Sequence, residues 1–102
     1  IMVRDCLFHL SYKDINSFLI NLSKTNYRYL LTTTHIVDQN FKNSNIITGD
    51  FRIIDLFSKP FDFDPECVKD RVDDFPSGYS TKREMILVEK KFVPTHCTHL
   101  KK

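Results

Sequence analysis

Behind Ser11 the apolar positions take on a helical rhythm. Ile15, Phe18, Leu19 and Leu22 stand at i, i+3, i+4 and i+7, one stripe of an α-helix. Lys13, Asn16, Asn21 and Ser23 lie mainly off that stripe. Ser11 with Asp14 three places on resembles a capping box, the acid standing in for the usual Glu or Gln. The spacing predicts a helix from about Tyr12 to Ser23, with Lys24 favourable at its C-terminus. Ahead of it, Ile1-Met2-Val3 is apolar on consecutive positions, as in a strand covered on both faces, and Cys6 to Leu10 forms the turn between them. Domains rarely open on a buried strand, so this run is expected to continue from chain upstream and the domain to be a truncated one.

After the helix, Thr25-Asn26 breaks the pattern and Tyr27 to Thr34 reads as a strand of aromatic, Leu and Thr residues. Strand, helix and strand in this order form a βαβ unit, whose crossover makes the two strands parallel neighbours. His35 to Asp50 is long, polar and asparagine-rich, and a connection of that length is usually functional or mobile. Phe51 to Phe57 fits either a short helix or an extended segment, closed by Lys59-Pro60-Phe61. Further on, Cys67 to Val72 and Arg83 to Phe92 read as strands, the second built around Met85-Ile86-Leu87-Val88. Phe75-Pro76-Ser77-Gly78 carries turn chemistry between them, which predicts a hairpin. The fold class is therefore α/β: a parallel pair followed by a C-terminal antiparallel hairpin. It occupies one domain over residues 1–93, with a loose tail at 94–102.

Composition narrows the class without changing this picture. The 102 residues are 41% apolar and 27% charged, the balance of an ordinary globular domain. A net charge of +2, with basic residues spread among acidic ones, makes nucleic acid an unlikely partner. The local excess at Lys90, Lys91, Lys101 and Lys102 reads as a solvated tail. Three cysteines without framework spacing suit a reducing compartment. No run approaches the roughly 18 apolar residues of a membrane span, and the first residues lack a signal-peptide pattern. A cytoplasmic location with no membrane partner is the expectation.

Two glycines, Gly49 and Gly78, cannot build a Gly-rich loop between a strand and a helix, so these residues hold neither a P-loop nor a dinucleotide-type cradle. Asp5 and His9 fall just past the carboxyl end of the first strand, where open α/β sheets bind ligands and where a general base or substrate-orienting pair is useful. The commoner role for such a pair is structural, Asp5 capping the turn and His9 bonding a neighbouring loop. Thr34 and His35 end the second strand and would line the same crevice, although a threonine run is more often plain β propensity. His96-Cys97-Thr98-His99 offers three potential metal ligands in four residues. It has no second pair, and no metal site is expected there. A hydrolase elbow of the Gly-x-Ser-x-Gly kind is missing. Cys6 near His9 fits a buried structural thiol better than a nucleophile.

The string Arg4-Asp5-Cys6-Leu7-Phe8-His9-Leu10-Ser11 resembles the end of the fourth strand in a group of class I S-adenosylmethionine-dependent methyltransferases, which reads approximately R-D-x-L-x-H-L-S. Further matches follow in order: Tyr29-Leu30-Leu31-Thr32-Thr33-Thr34, Asn45-Ile46-Ile47-Thr48-Gly49-Asp50-Phe51-Arg52, then Leu56 and Pro60-Phe61-Asp62-Phe63. The resemblance implies a Rossmann-like sheet of order 3-2-1-4-5-7-6, of which this chain would supply strands 4, 5, 7 and 6. It places Arg4, Asp5 and His9 beside the methionine end of the cofactor or the acceptor, and Arg52 and Phe61 in loops over the substrate crevice, which Thr34 and His35 would line by their position alone. S-adenosylmethionine is then the cofactor of the complete domain. None is expected on this chain alone, which would be inactive without the Gly-rich half. The methyl acceptor stays open. The half-domain would leave the edge of its first strand unpaired and so be weakly stable or homodimeric across it. The other reading is a non-enzymatic interaction module pairing with a partner through that exposed edge.

Overall fold

The helix forms where the apolar spacing puts it. In the computed structural model, which describes residues 1–74 and 81–98, α1 spans Tyr12–Ser23. The Ser11 hydroxyl accepts the Asp14 amide at 3.1 Å, half of a capping box. The other half is relayed: the Ser11 amide donates to the Thr48 hydroxyl at 2.9 Å, and that hydroxyl donates to the Asp14 carboxylate. A Glu would make the return bond itself; Asp, one methylene shorter, makes it through Thr48. Ile15, Leu19 and Leu22 are buried, and Phe18 packs beside them at the margin of the core.

Two strands flank the helix in sequence. β1 is Met2–Val3, and it pairs in parallel with β2, Tyr29–His35, through Met2↔Leu31 and Val3↔Thr32. β3, Val68–Asp73, and β4, Arg83–Glu89, are antiparallel to one another, with a bulge between Val68 and Asp70. β4 also lies antiparallel against β2 over all seven residues, from Tyr29↔Glu89 to His35↔Arg83. The result is one open, mixed sheet of order β1-β2-β4-β3, a small α/β domain. The expected turn at 75–78 lies outside the described residues.

Register decides which residues reach the core. Val3, Leu30, Ile86 and Val88 share the face under α1 and join Ile15, Leu19, Leu22, Leu56, Phe61 and Phe63 in one cluster. The residues of opposite parity point to the other face, where Met2 is 64% and Val72 51% exposed. Residues 52–56, left open by the sequence, are extended: Arg52, Ile54 and Leu56 turn inward in alternation. They form no ladder because their partners are mostly side chains at the end of β2. The Ile54 amide donates to His35 Nδ1 at 3.0 Å and the Leu56 amide to Thr34 Oγ1 at 3.0 Å.

The chain after Pro94 departs from the loose tail expected of it, at least as far as Thr98. Cys97 is buried, its amide donates to Asn16 Oδ1 at 2.7 Å, and the Thr98 amide donates to the Pro60 carbonyl at 2.8 Å. Val93 and Cys97, on either side of Pro94, are members of the core cluster. Among the described residues no helix is long and apolar enough to cross a membrane.

Leu19→Ala, at the centre of the helix stripe, is expected to destabilise the fold by about 2–5 kcal/mol in urea titration, whereas exposed Lys13→Ala stays within about 0.5 kcal/mol.

Candidate functional site

The carboxyl end of β1 lies beside the carboxyl end of β2 and the start of β4, so groups distant in sequence converge there. Asp5 takes a left-handed φ of 52°, a region that Asp tolerates better than most residues, and its amide donates to Thr33 Oγ1 at 3.1 Å. Its neighbour Arg4 grips the Asp74 carboxylate with two nitrogens, at 2.6 and 3.2 Å. Arg83 closes the ring: Nε donates to the Asp74 carbonyl at 3.0 Å, and Nη1 lies 3.4 Å from Asp5 Oδ1. That last contact is Coulombic, since Asp5 Oδ1 makes no hydrogen bond of good geometry. Arg4 is more than half exposed, so its pair with Asp74 orients more than it stabilises.

A second set of bonds fastens the turn after β1, a short 3₁₀ turn at Leu7–His9, to residues 45–52. The Arg52 amide donates to the Phe8 carbonyl, the Gly49 amide to the His9 carbonyl at 2.8 Å, and Arg52 Nη1 to the Leu7 and Leu10 carbonyls at 3.2 and 2.6 Å. Asn45 Oδ1 accepts the Tyr12 amide at 2.8 Å. All four carbonyls from Leu7 to Leu10 are thereby satisfied by one short segment. Gly49 has a φ of +106°, which only glycine adopts at little cost, and a Cβ there would meet nothing. Its role is conformational. The asparagine-rich connection is held rather than loose: the Asn43 side chain bonds the Asp55 amide and the Asp55 and Lys59 carbonyls, each at 2.8 Å.

The same fastening assembles four rings. Phe8 lies 4.6 Å from His9, 5.2 Å from His35 and 5.4 Å from Phe51 between ring centres. Phe51 is 56% exposed, whereas Phe8 and His35 are buried. His9 Nδ1 stands 2.9 Å from the Asp50 carbonyl. A carbonyl only accepts, so Nδ1 carries the hydrogen and Nε2 of the neutral ring keeps its lone pair. His35 is the reverse case, with Nδ1 accepting from Ile54. Burial lowers its pKa below the usual 6.5, so the ring is neutral at pH 7.

Of the residues singled out in the sequence, Arg4 and Asp5 share the ionic ring with Asp74 and Arg83, while His9 and His35 both pack against the Phe8 ring. Thr34, Arg52 and Phe61 belong to neither group. Thr34 is fully buried and bonds Leu56, and Phe61 is a core ring set edge-on against Tyr12 at 5.6 Å. Arg52 is a buried clamp whose Nε and Nη2 find no partner among the described residues, with the Tyr12 ring 5.6 Å from its guanidinium carbon. Burial depresses its pKa below the usual guanidinium value, and it stays cationic. Arg83, Asp74 and Phe51 belong to the site and were not foreseen. Phe51 stood inside the recognised string, but nothing local marked Arg83 or Asp74. Burial pushes the Cys97 thiol up to about 11, which leaves it inert at neutral pH. Among the described residues no three His, Cys, Asp or Glu side chains are grouped to hold a metal ion. His99 lies outside them.

Comparison with known protein families, with characterised proteins and with solved structures returns no match.

Gly49→Ala is expected to destabilise by about 1–2 kcal/mol in chemical denaturation, from its backbone angle alone. For His35 the folded pKa is the lower one, so the unfolded chain takes up the proton first. Its contribution to stability is complete above pH 6.5 and is lost as pH falls through the folded value. Urea midpoints measured between about pH 7.5 and 5 should fall, and the fall should shrink in His35→Gln.

Proposed function

We propose that these residues are the C-terminal half of a Rossmann-like class I methyltransferase domain, contributing the acceptor side of an S-adenosylmethionine-dependent site. The strand order β1-β2-β4-β3 carries this reading: it is the 4-5-7-6 arrangement that such a sheet requires, with the last strands antiparallel. The bonding of residues 45–52 to residues 7–14 adds support, because it joins two of the four strings that carry the resemblance.

The cofactor's own site is not complete in this chain. Gly49 is required by its backbone angle and cradles nothing, and no other glycine lies among the described residues. Asp5 is a carboxylate suited to an ammonium at the methionine end of the cofactor, held in place by Arg83 and Thr33. When bound, S-adenosylmethionine supplies the transferable methyl group. The remaining work falls to the acceptor side, and methyl displacement depends chiefly on positioning. His9, with Nδ1–H fixed on Asp50, presents Nε2 as a hydrogen-bond or proton acceptor for an acceptor hydroxyl or amine. Phe51 stands beside that ring, 5.8 Å away between ring centres.

A second reading, an interaction module pairing through the outer edge of β1, rests on one observation. Ile1 and Met2 are 53% and 64% exposed at an edge that no strand occupies among the described residues.

Calorimetric titration of S-adenosylmethionine into these 102 residues and into the longest polypeptide their gene encodes tests the first reading. One-site binding by the longer chain and silence from the shorter one is expected; silence from both would sink it. In the binding-competent protein, His9→Ala should cut turnover by about 10²-fold with cofactor affinity unchanged. Sedimentation equilibrium decides the second reading. A dimer lost in Met2→Lys favours edge pairing, and a monomer at all concentrations excludes it.

A further inference from the structure

Cations that look scattered along the chain meet at the end of the sheet opposite Asp5 and His9. β4 runs antiparallel to both its neighbours, so its end, the starts of β2 and β3 and the C-terminus of α1 come together. Lys24 caps α1, Arg28 precedes β2, Lys69 stands at the start of β3, and Lys90-Lys91 follow β4. The Lys90 amide donates to the Arg28 carbonyl at 2.9 Å, which ties two of these pieces directly. Aromatic rings are interleaved with the charges. The Lys90 ammonium is 5.4 Å from the centre of Tyr27, Lys69 is 5.8 Å from Tyr29, and Lys91 is 5.1 Å from Phe92, itself 40% exposed. A groove of about 450 Å³ runs here, lined by Tyr27, Val93 and Pro94 together with Lys90 and Lys91.

The two ends of the sheet treat their charges differently. At the carboxyl end of β2, Arg4 is paired with Asp74, Arg71 with Glu84 and Arg83 with Asp5. At the opposite end none of Lys24, Arg28, Lys69, Lys90 and Lys91 forms an ion pair among the described residues. Glu89, across from Tyr29, is an acid in the same rungs, and Asp70 follows Lys69 on β3, with Asp64 and Glu66 just ahead of that strand. Lys90 has a local duty, donating to the Thr25 carbonyl at 2.6 Å and offsetting the negative end of α1. Lys24, as the C-cap, faces the same helix end, whereas Arg28, Lys69 and Lys91 have no such use among the described residues.

We propose that this end of the sheet binds single-stranded nucleic acid. Phosphates meet the unpaired cations, and bases lie against the aromatic and apolar groove, the combination that sequence-tolerant single-strand binding uses. An acidic peptide would engage the cations and leave the rings idle. The surface is separate from the crevice at Asp5, and the proposal stands whether or not the chain belongs to a methyltransferase.

Fluorescence anisotropy of a labelled oligouridylate of about 12 nucleotides, titrated with this chain at about 50 and 200 mM salt, tests it. Binding that weakens with salt is expected. The double variant Lys69→Glu, Lys91→Glu should lose about tenfold or more and flatten the salt slope. Phe92→Ala should lose about threefold or more with the slope unchanged, since it removes stacking and no charge. Lys82→Glu, a charge reversal at the other end, should be silent, and far-UV circular dichroism of each variant should match the parent. Absence of binding, or a loss in Lys82→Glu as large as in the double variant, overturns the proposal. So does oligoglutamate of equal charge competing as well as the oligonucleotide, which would assign the surface to acidic peptides.

Discussion

The structure depends on how one turn keeps its backbone out of water. After the two residues of β1 the chain must swing over the end of the sheet into α1, and Leu7 and Phe8 are buried on the way. Carbonyls carried inward with them need partners. Residues 45–52 supply these with two amides and one guanidinium, and Thr48 and Asn45 serve the first amides of the helix. A buried Arg52 is costly, and two carbonyls and an aromatic ring are what offset its lost hydration. The same bonds bring Asp50 and Phe51 to His9, so the site and the fold share one set of contacts.

Strand order then sorts the charges. Placing β4 between β2 and β3 sets its first residues beside the carboxyl end of β2 and its last beside the amino end. Arginines and carboxylates from residues 4, 5, 74 and 83 therefore form a paired lattice at one end, while Lys24, Arg28, Lys69, Lys90 and Lys91, from four separate segments, lie toward the other without an ion pair among the described residues. The neutral His35, walled by Phe8 and Phe51, separates the lattice from the core. One end is preorganised and the other is left with charge to share.

Much of this was legible where the signal is local. α1 was read to the residue, because a 3.6-residue period and a serine cap act within one turn of chain. The parallel pair followed from strand, helix, strand order, and both later strands were found within a few residues of their true ends. The extended run 52–56 was not legible, since its partners are the side chains of Thr34 and His35 rather than a neighbouring ladder. Arg52 and Phe61 were recognised as characteristic residues, yet a recognised string carries no direction, and both turn inward. The Arg4–Asp74 pair spans 70 positions, beyond any pattern that spacing can reveal.

By itself, then, the sequence determined the elements and their class: a capped amphipathic helix, the strands around it, and the glycine that permits one sharp bend. Those follow from interactions within a few residues of one another, which any short window of chain contains. Only the tertiary structure decided which carbonyls Arg52 serves, which ring stands beside His9, and that lysines far apart in sequence share a surface. Such choices are made when burial forces each polar group to find a partner, and the partner is whatever the strand order has brought within reach.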